Sequence, residues 1–155
     1  LNDPLASKNE LSSSLQAKAI KNHQRPSPPL EALQELIRCK PTNIPWRAAG
    51  TDSSDGLLEA IQNLCYSSNC QAVIDPTTLP RAANWPLGQH WDNWCLNGGE
   101  DFELILSLPP TWAQALIKNF PSSQIIGMMR TGAPKVLWNN GDEVKRNSLL
   151  EFKHF

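Results

Sequence analysis

A surplus of positive charge is the first thing this sequence lacks. Fourteen lysines and arginines face fifteen aspartates and glutamates, a formal net charge of −1. Proteins that grip nucleic acid neutralise its phosphates with clustered basic side chains, so the composition argues against that class. Long apolar runs are missing too; none approaches the roughly 20 residues that cross a bilayer. The opening Leu1-Asn2-Asp3-Pro4 has neither a basic n-region nor an apolar h-region, so no leader peptide is expected. It also lacks an initial methionine, which suggests a piece of a longer chain. Cys39, Cys65, Cys70 and Cys95 contain no Cys-x-x-Cys pair, and His23, His90 and His154 supply no matching ligand spacing. That pattern favours free thiols in a cytoplasmic protein over a zinc site or a disulfide framework. No Gly-x-x-x-x-Gly-Lys loop is present to cradle phosphates.

What is present fits one domain with its own core. A modest helix is expected over Glu10–Ile20, closed by His23-Gln24-Arg25-Pro26. Pro26, Pro28 and Pro29 then impose an extended segment, since each fixes φ and disfavours helix in the residue before it. Residues 1–29 therefore read as a helix and a proline-rich arm, and 30–155 as the domain. Within the domain, Leu30, Leu33, Leu36 and Ile37 predict a helix stopped at Lys40-Pro41. A strand over Trp46–Thr51 and a helix over Ser54–Ser67 follow, the helix carrying Leu57, Leu58, Ile61, Leu64 and Cys65 on one face. Ala72-Val73-Ile74 reads as a short strand and residues 76–92 as an irregular surface connection. Trp91, Trp94, Cys95 and Leu96 suit a helix stopped at Gly98-Gly99.

An alternating strand is expected next, with Phe102, Leu104, Leu106 and Leu108 on one side and Glu103, Ile105 and Ser107 on the other. A helix from Thr111 ends before Pro121. Gln124–Met129 and Lys135–Trp138 look like two strands joined by a turn, and Asn139-Asn140-Gly141-Asp142 is a second turn. Helices interleaved with strands indicate an α/β or α+β domain with a mixed β-sheet.

Two acidic, glycine-marked blocks stand at strand–helix junctions, Thr51-Asp52-Ser53-Ser54-Asp55-Gly56 and Gly98-Gly99-Glu100-Asp101. The bland reading of the first is a helix cap, with Ser53 or Ser54 accepting a first-turn N–H. The functional reading sets Asp52 and Asp55 beyond the helix end as hard oxygen ligands, the way magnesium is held beside phosphates. The second block is by itself a turn with a solvated face. Trp46, Trp85, Trp91, Trp94, Trp112 and Trp138 lack the interleaved basic residues of a base-stacking platform, so packing is their expected role. His90 is expected to be exposed, and Arg25 to serve either in packing or in binding phosphate.

Taken in order, the motifs resemble one family. Arg25-Pro26-Ser27-Pro28, Asp52-Ser53-Ser54-Asp55-Gly56-Leu57, Ala72-Val73-Ile74-Asp75 with Leu79-Pro80, Gly98-Gly99-Glu100-Asp101-Phe102-Glu103-Leu104, Ile126-Gly127 and a terminal Phe152-Lys153-His154-Phe155 follow one another as in the C-terminal half of the thiamine-monophosphate kinase family. That family belongs to the aminoimidazole-ribonucleotide synthetase-like superfamily, and the resemblance runs from about His23 to the last residue. It implies an α+β fold of helices packed on a mixed sheet. It also implies transfer of the ATP γ-phosphoryl onto thiamine monophosphate, giving thiamine diphosphate. By resemblance, Asp52 and Asp55 are magnesium ligands, Ser54 contacts the nucleotide phosphates, and Glu100 and Phe152 bind the thiamine substrate. Phosphoryl transfer asks mainly for positioning and charge neutralisation, which several carboxylates holding magnesium provide. A carboxylate and an aromatic ring suit a cationic thiazolium.

The sequence departs from the family at Pro29, where arginine is common, and at Glu151, where glycine is common. The family's N-terminal half, which supplies much of the ATP site, further metal ligands and the homodimer interface, is not among these residues. The chain alone is therefore expected to be inactive. The alternatives are a non-catalytic binding or interaction module of the same fold, or a sister ATP-dependent enzyme of the superfamily.

Overall fold

Two neighbouring hydrophobic cores organise the protein, and a short β-ribbon runs between them. The computed structural model describes residues 11–145. The elements are α1 (Ser13–Gln24), α2 (Leu30–Arg38), β1 (Ala49–Asp52), α3 (Leu57–Ser68), β2 (Cys70–Ile74), α4 (Gln89–Asn97), β3 (Leu104–Ser107), α5 (Pro110–Asn119), β4 (Gly127–Thr131) and β5 (Lys135–Trp138). The architecture is α+β, as expected, but the strands form two sheets. The pair β1–β3 is antiparallel, and a three-stranded mixed sheet has the order β4-β2-β5.

The first core forms around α3. Leu57, Leu58, Ile61, Leu64 and Cys65 are all buried, the helical face that their spacing predicts. Leu57, Leu58, Ile61 and Cys65 pack with Ala72 and Ile74 of β2, Leu96 of α4 and Val136 of β5. Burying one such large aliphatic side chain stabilises the fold by about 1.5–3 kcal/mol. Asn69 ends α3 in the left-handed conformation at φ 47°, which asparagine tolerates.

The second core joins α2 to α5 through Leu36, Trp112 and Leu116. Trp112 is fully buried, and its indole N–H donates to the Leu36 carbonyl at 2.9 Å. That bond satisfies a carbonyl near the end of α2 that lacks a partner within the helix. Pro110 occupies the first turn of α5, where its missing N–H costs nothing.

Several expectations need correction, among them the bounds of β1, expected over Trp46–Thr51, and of β4, expected over Gln124–Met129. The first helix begins and ends later than predicted, because Ser12 accepts the Leu15 N–H as its cap and Pro26 sets the stop; none of its residues is buried. The strands β4 and β5 do not form a hairpin. They flank β2, so β2 is paired on both edges while Ala72, Ile74 and Val136 are buried. The 76–92 connection is not purely superficial: Leu79 is buried in the first core, and Arg81 is paired to Asp92. Finally, β3 is only Leu104–Ser107, without Phe102, Glu103 or Leu108, and its sides face different cores, Ile105 the first and Leu106 the second.

Trp112→Ala is expected to cost about 4 kcal/mol of unfolding free energy. Trp112→Phe, which keeps a ring but loses the donor, should cost about 2 kcal/mol. Urea unfolding measures both, and an alanine variant within about 0.5 kcal/mol of the parent would contradict the packing described.

Candidate functional site

Strand β1 delivers the first acidic block and β3 departs from the second. Their antiparallel register sets Asp52 opposite Leu104. Beyond the strands the pairing continues through the loops. The Ser53 N–H donates to the Glu103 carbonyl at 3.0 Å, and the Glu103 N–H donates back to Ser53 Oγ at 3.0 Å. The Glu100 N–H donates to the Ser54 carbonyl at 2.7 Å. Blocks some 45 residues apart in sequence are thereby tied to each other.

The cap predicted at Ser53 or Ser54 is not formed. The residue capping α3 is Gly56, with no side-chain hydrogen bond. Ser53 is instead buried, 4% exposed, with its hydroxyl committed to Glu103. The half-buried Ser54 hydroxyl donates to Asp52 Oδ1 at 3.3 Å. A tight turn, closed by the Gly56 N–H to the Ser53 carbonyl at 2.9 Å, carries the chain into the helix. Gly56 has φ +102°, and a Cβ there would lie 3.2 Å from the Leu96 carbonyl oxygen. Glycine is therefore required both for conformation and for the close approach of this turn to the end of α4. Asp52 and Asp55 remain exposed beyond the N-terminus of α3, where the helix dipole favours negative charge.

Helix α4 stops at Gly98, as expected. The Gly98 backbone is extended rather than left-handed, and what the glycine supplies is space, since a Cβ would fall 2.8 Å from the Trp94 carbonyl oxygen. Left-handed backbone appears instead at Glu100 (φ 70°) and Phe102 (φ 54°), so Phe102 does not continue β3. Non-glycine residues hold such conformations only where their surroundings enforce them. Here the bonds to Ser53 and Ser54 do so.

Asp101 and Glu103 keep exposed surface, yet burial within the surrounding protein raises both carboxyl pKa values above the ordinary range. The His23 charge offsets part of the Asp101 shift, and the Asp101 charge adds to that of Glu103. Burial pushes the Cys95 thiol up to about 11 and also raises that of Cys65, which is fully buried, so neither is a ready nucleophile. His90 is half-buried rather than exposed, its ring 5.1 Å from Trp91 and 5.8 Å from Trp94. Arg25 is exposed just past α1. An open depression of about 460 Å³ lies between Pro76, the start of α4 and residues 138–145, and none of the candidate residues lines it.

The exposed carboxylates of Asp52 and Asp55 and the Ser54 hydroxyl are hard oxygen donors, a set that fits Mg²⁺ shared with phosphates and water. Among the described residues, no three His, Cys, Asp or Glu side chains converge as a complete metal site. Phe152 lies outside the described residues. The structure thus brings together Asp52, Ser54, Asp55 and the Glu100 loop. It adds Ser53 and Glu103, which sequence reasoning missed because a cross-strand bond between loops has no local signature.

Ser53→Ala is expected to leave the Glu103 N–H without an acceptor, at about 1–3 kcal/mol in stability. Hydrogen exchange should accelerate at Glu103, and an unchanged Glu103 amide would refute the tie. For Asp101 the sign follows from its raised carboxyl pKa. The folded state binds the proton more tightly, so stability falls as pH rises from the ordinary carboxyl pKa to the raised one. Asp101→Asn should therefore stabilise the protein at neutral pH and make no difference well below the carboxyl range, as thermal melts at several pH values would reveal.

No family model matches the chain. It is 52% identical over 155 residues to the thiamine-monophosphate kinase of Prochlorococcus marinus, covering all of this chain and 46% of that protein. It is 40% identical over 147 residues to the enzyme of the same name from Synechococcus elongatus, covering 94% of this chain and 44% of that one. The crystal structure of thiamine-monophosphate kinase from Stenotrophomonas maltophilia shares the fold, with a TM-score of 0.66 at 24% identity over 87% of this chain and 42% of its own. Among the described residues, no helix is long and apolar enough to cross a membrane. The chain is thus a relative of the thiamine-monophosphate kinases, matching their C-terminal part and spanning about half their length.

Proposed function

We propose that this chain forms the C-terminal part of a cytoplasmic, ATP-dependent thiamine-monophosphate kinase. In this reading residues 1–29 are an arm ahead of the domain, and 30–155 are the domain itself. The carrying observation is the backbone tie between the two acidic blocks, Ser53 to Glu103 and Ser54 to Glu100, in a chain so similar to kinases of that name. One block then serves the nucleotide and the other the acceptor, and the tie sets their separation.

Asp52 and Asp55 would hold Mg²⁺, and the Ser54 hydroxyl would donate to a phosphate oxygen of ATP. Bound magnesium supplies charge neutralisation between phosphate oxygens, the principal need of phosphoryl transfer. Glu100 would face the thiazolium cation of thiamine monophosphate from the other side of the tie, with Phe152 packing on the heterocycle. Carboxylates held together at the edge of a fold repel one another, and a cationic substrate and a divalent ion both relieve that repulsion. The N-terminal half of the kinase would complete the ATP site and carry the homodimer contact.

The test joins this chain behind the N-terminal portion of the Prochlorococcus marinus relative and measures thiamine diphosphate formation from thiamine monophosphate and ATP. Activity is expected in the joined protein. Asp52→Ala and Asp55→Ala should each lower kcat by about a hundredfold or more and raise the Mg²⁺ concentration needed for half-maximal rate. Parental rates in both variants would overturn the metal roles, and an inactive but folded joined protein would overturn the kinase reading.

A further inference from the structure

Helix α2 is apolar over a wider arc than the fold covers. At about 100° per residue, Ala32, Leu36, Leu33, Ile37 and Leu30 fill a continuous arc of about 160°, whereas a stripe of about 100° suffices for a helix with one covered face. Among the described residues, only one margin of the arc is covered. Ala32 and Leu36 are 5% and 6% exposed, while Leu30, Leu33 and Ile37 are 70%, 45% and 63% exposed. Trp46 is a further large apolar side chain left 58% exposed. Its ring meets Trp112 edge-on at 5.0 Å, and Trp112 in turn holds the Leu36 carbonyl of α2. The exposed face of α2 and the exposed Trp46 ring are therefore both carried on the second core, with Trp112 between them.

Two observations indicate what covers them. The relatives are more than twice as long as this chain and match it by their C-terminal part, so in them a body of similar size precedes α2 in sequence. Trp46 also lies just ahead of β1 in sequence, and β1 ends in the Asp52–Asp55 turn and pairs on one edge only, with β3, among the described residues. A body seated on α2 and Trp46 would thus lie beside the strand that leads to the two carboxylates. We propose that the Leu30–Leu33–Ile37 face of α2, together with Trp46, is the seat of the kinase's N-terminal half. The proposal rests on the kinase reading above.

The experiment compares this chain alone with the same chain joined behind the N-terminal portion of the Prochlorococcus marinus relative. Amide hydrogen exchange over residues 30–37 is expected to slow at least tenfold on joining. Tyr66, 68% exposed on α3, should show no such change. Leu33→Glu with Ile37→Glu should abolish the protection while leaving the thermal midpoint of the chain alone unchanged, since both side chains already face solvent. Equivalent substitutions in the intact Prochlorococcus marinus relative give the same readout if the joined protein does not fold. Unchanged exchange over 30–37, or protection that survives both substitutions, would overturn the proposal. Protection that grows with concentration in the chain alone would assign the face to a second copy and overturn it equally. The two readings fail separately: protection without thiamine diphosphate formation defeats the kinase reading, and activity with an unprotected α2 defeats the docking site.

Discussion

The reciprocal pair of hydrogen bonds between Ser53 and Glu103 is the constraint on which the site's geometry depends. It extends the β1–β3 ladder by one step beyond the strands, using a side-chain oxygen for one of its two links. The Glu100 N–H then donates to the Ser54 carbonyl, so the two loops are joined at a second point without using any of their carboxylates. Burial of the Glu100 loop raises the carboxyl pKa values of Asp101 and Glu103, with the Asp101 charge adding to the Glu103 shift.

The same constraint accounts for the unusual backbone nearby. Glu100 and Phe102 adopt left-handed conformations that cost energy in isolation, and the bonds on either side hold them there. Gly56 and Gly98 are the complementary devices. One lets the turn approach the end of α4, and the other lets that helix end without striking its own Trp94 carbonyl. The clamp on the loops and the closeness of α3 to α4 are therefore one piece of geometry.

Much of this was legible in the sequence. The α3 stripe, with every member buried, follows from apolar spacing at a helical period, and the ends of α2 and α5 follow from Pro41 and Pro121. Asp52 and Asp55 were identifiable as residues projecting past a helix start. What stayed hidden was non-local. Ser53 has the chemistry of a cap, and only the arrival of Glu103 from a distant segment diverts its hydroxyl. Likewise Lys135–Trp138 follows Gly127–Thr131 closely enough to suggest a hairpin, and only the demand of β2 for partners on both edges separates them. The alternation in β3 assigns residues to two sides, but a sequence cannot reveal that each side meets a different core.

That second core gives the ribbon its mechanical character. Ile105 packs on the α3 side and Leu106 on the Trp112 side, so β3 cannot shift toward one core without opening a void at the other. A two-stranded ribbon is marginal by itself, and here its position is set by contacts on both faces. The acidic loops at its end inherit that rigidity. The first core is closed by β2, β5 and α4. The second is small and is carried by α2, α5 and Trp112, with the outer face of α2 still apolar. A further layer on α2 would enlarge that second core and stiffen the ribbon from the side where it is least supported.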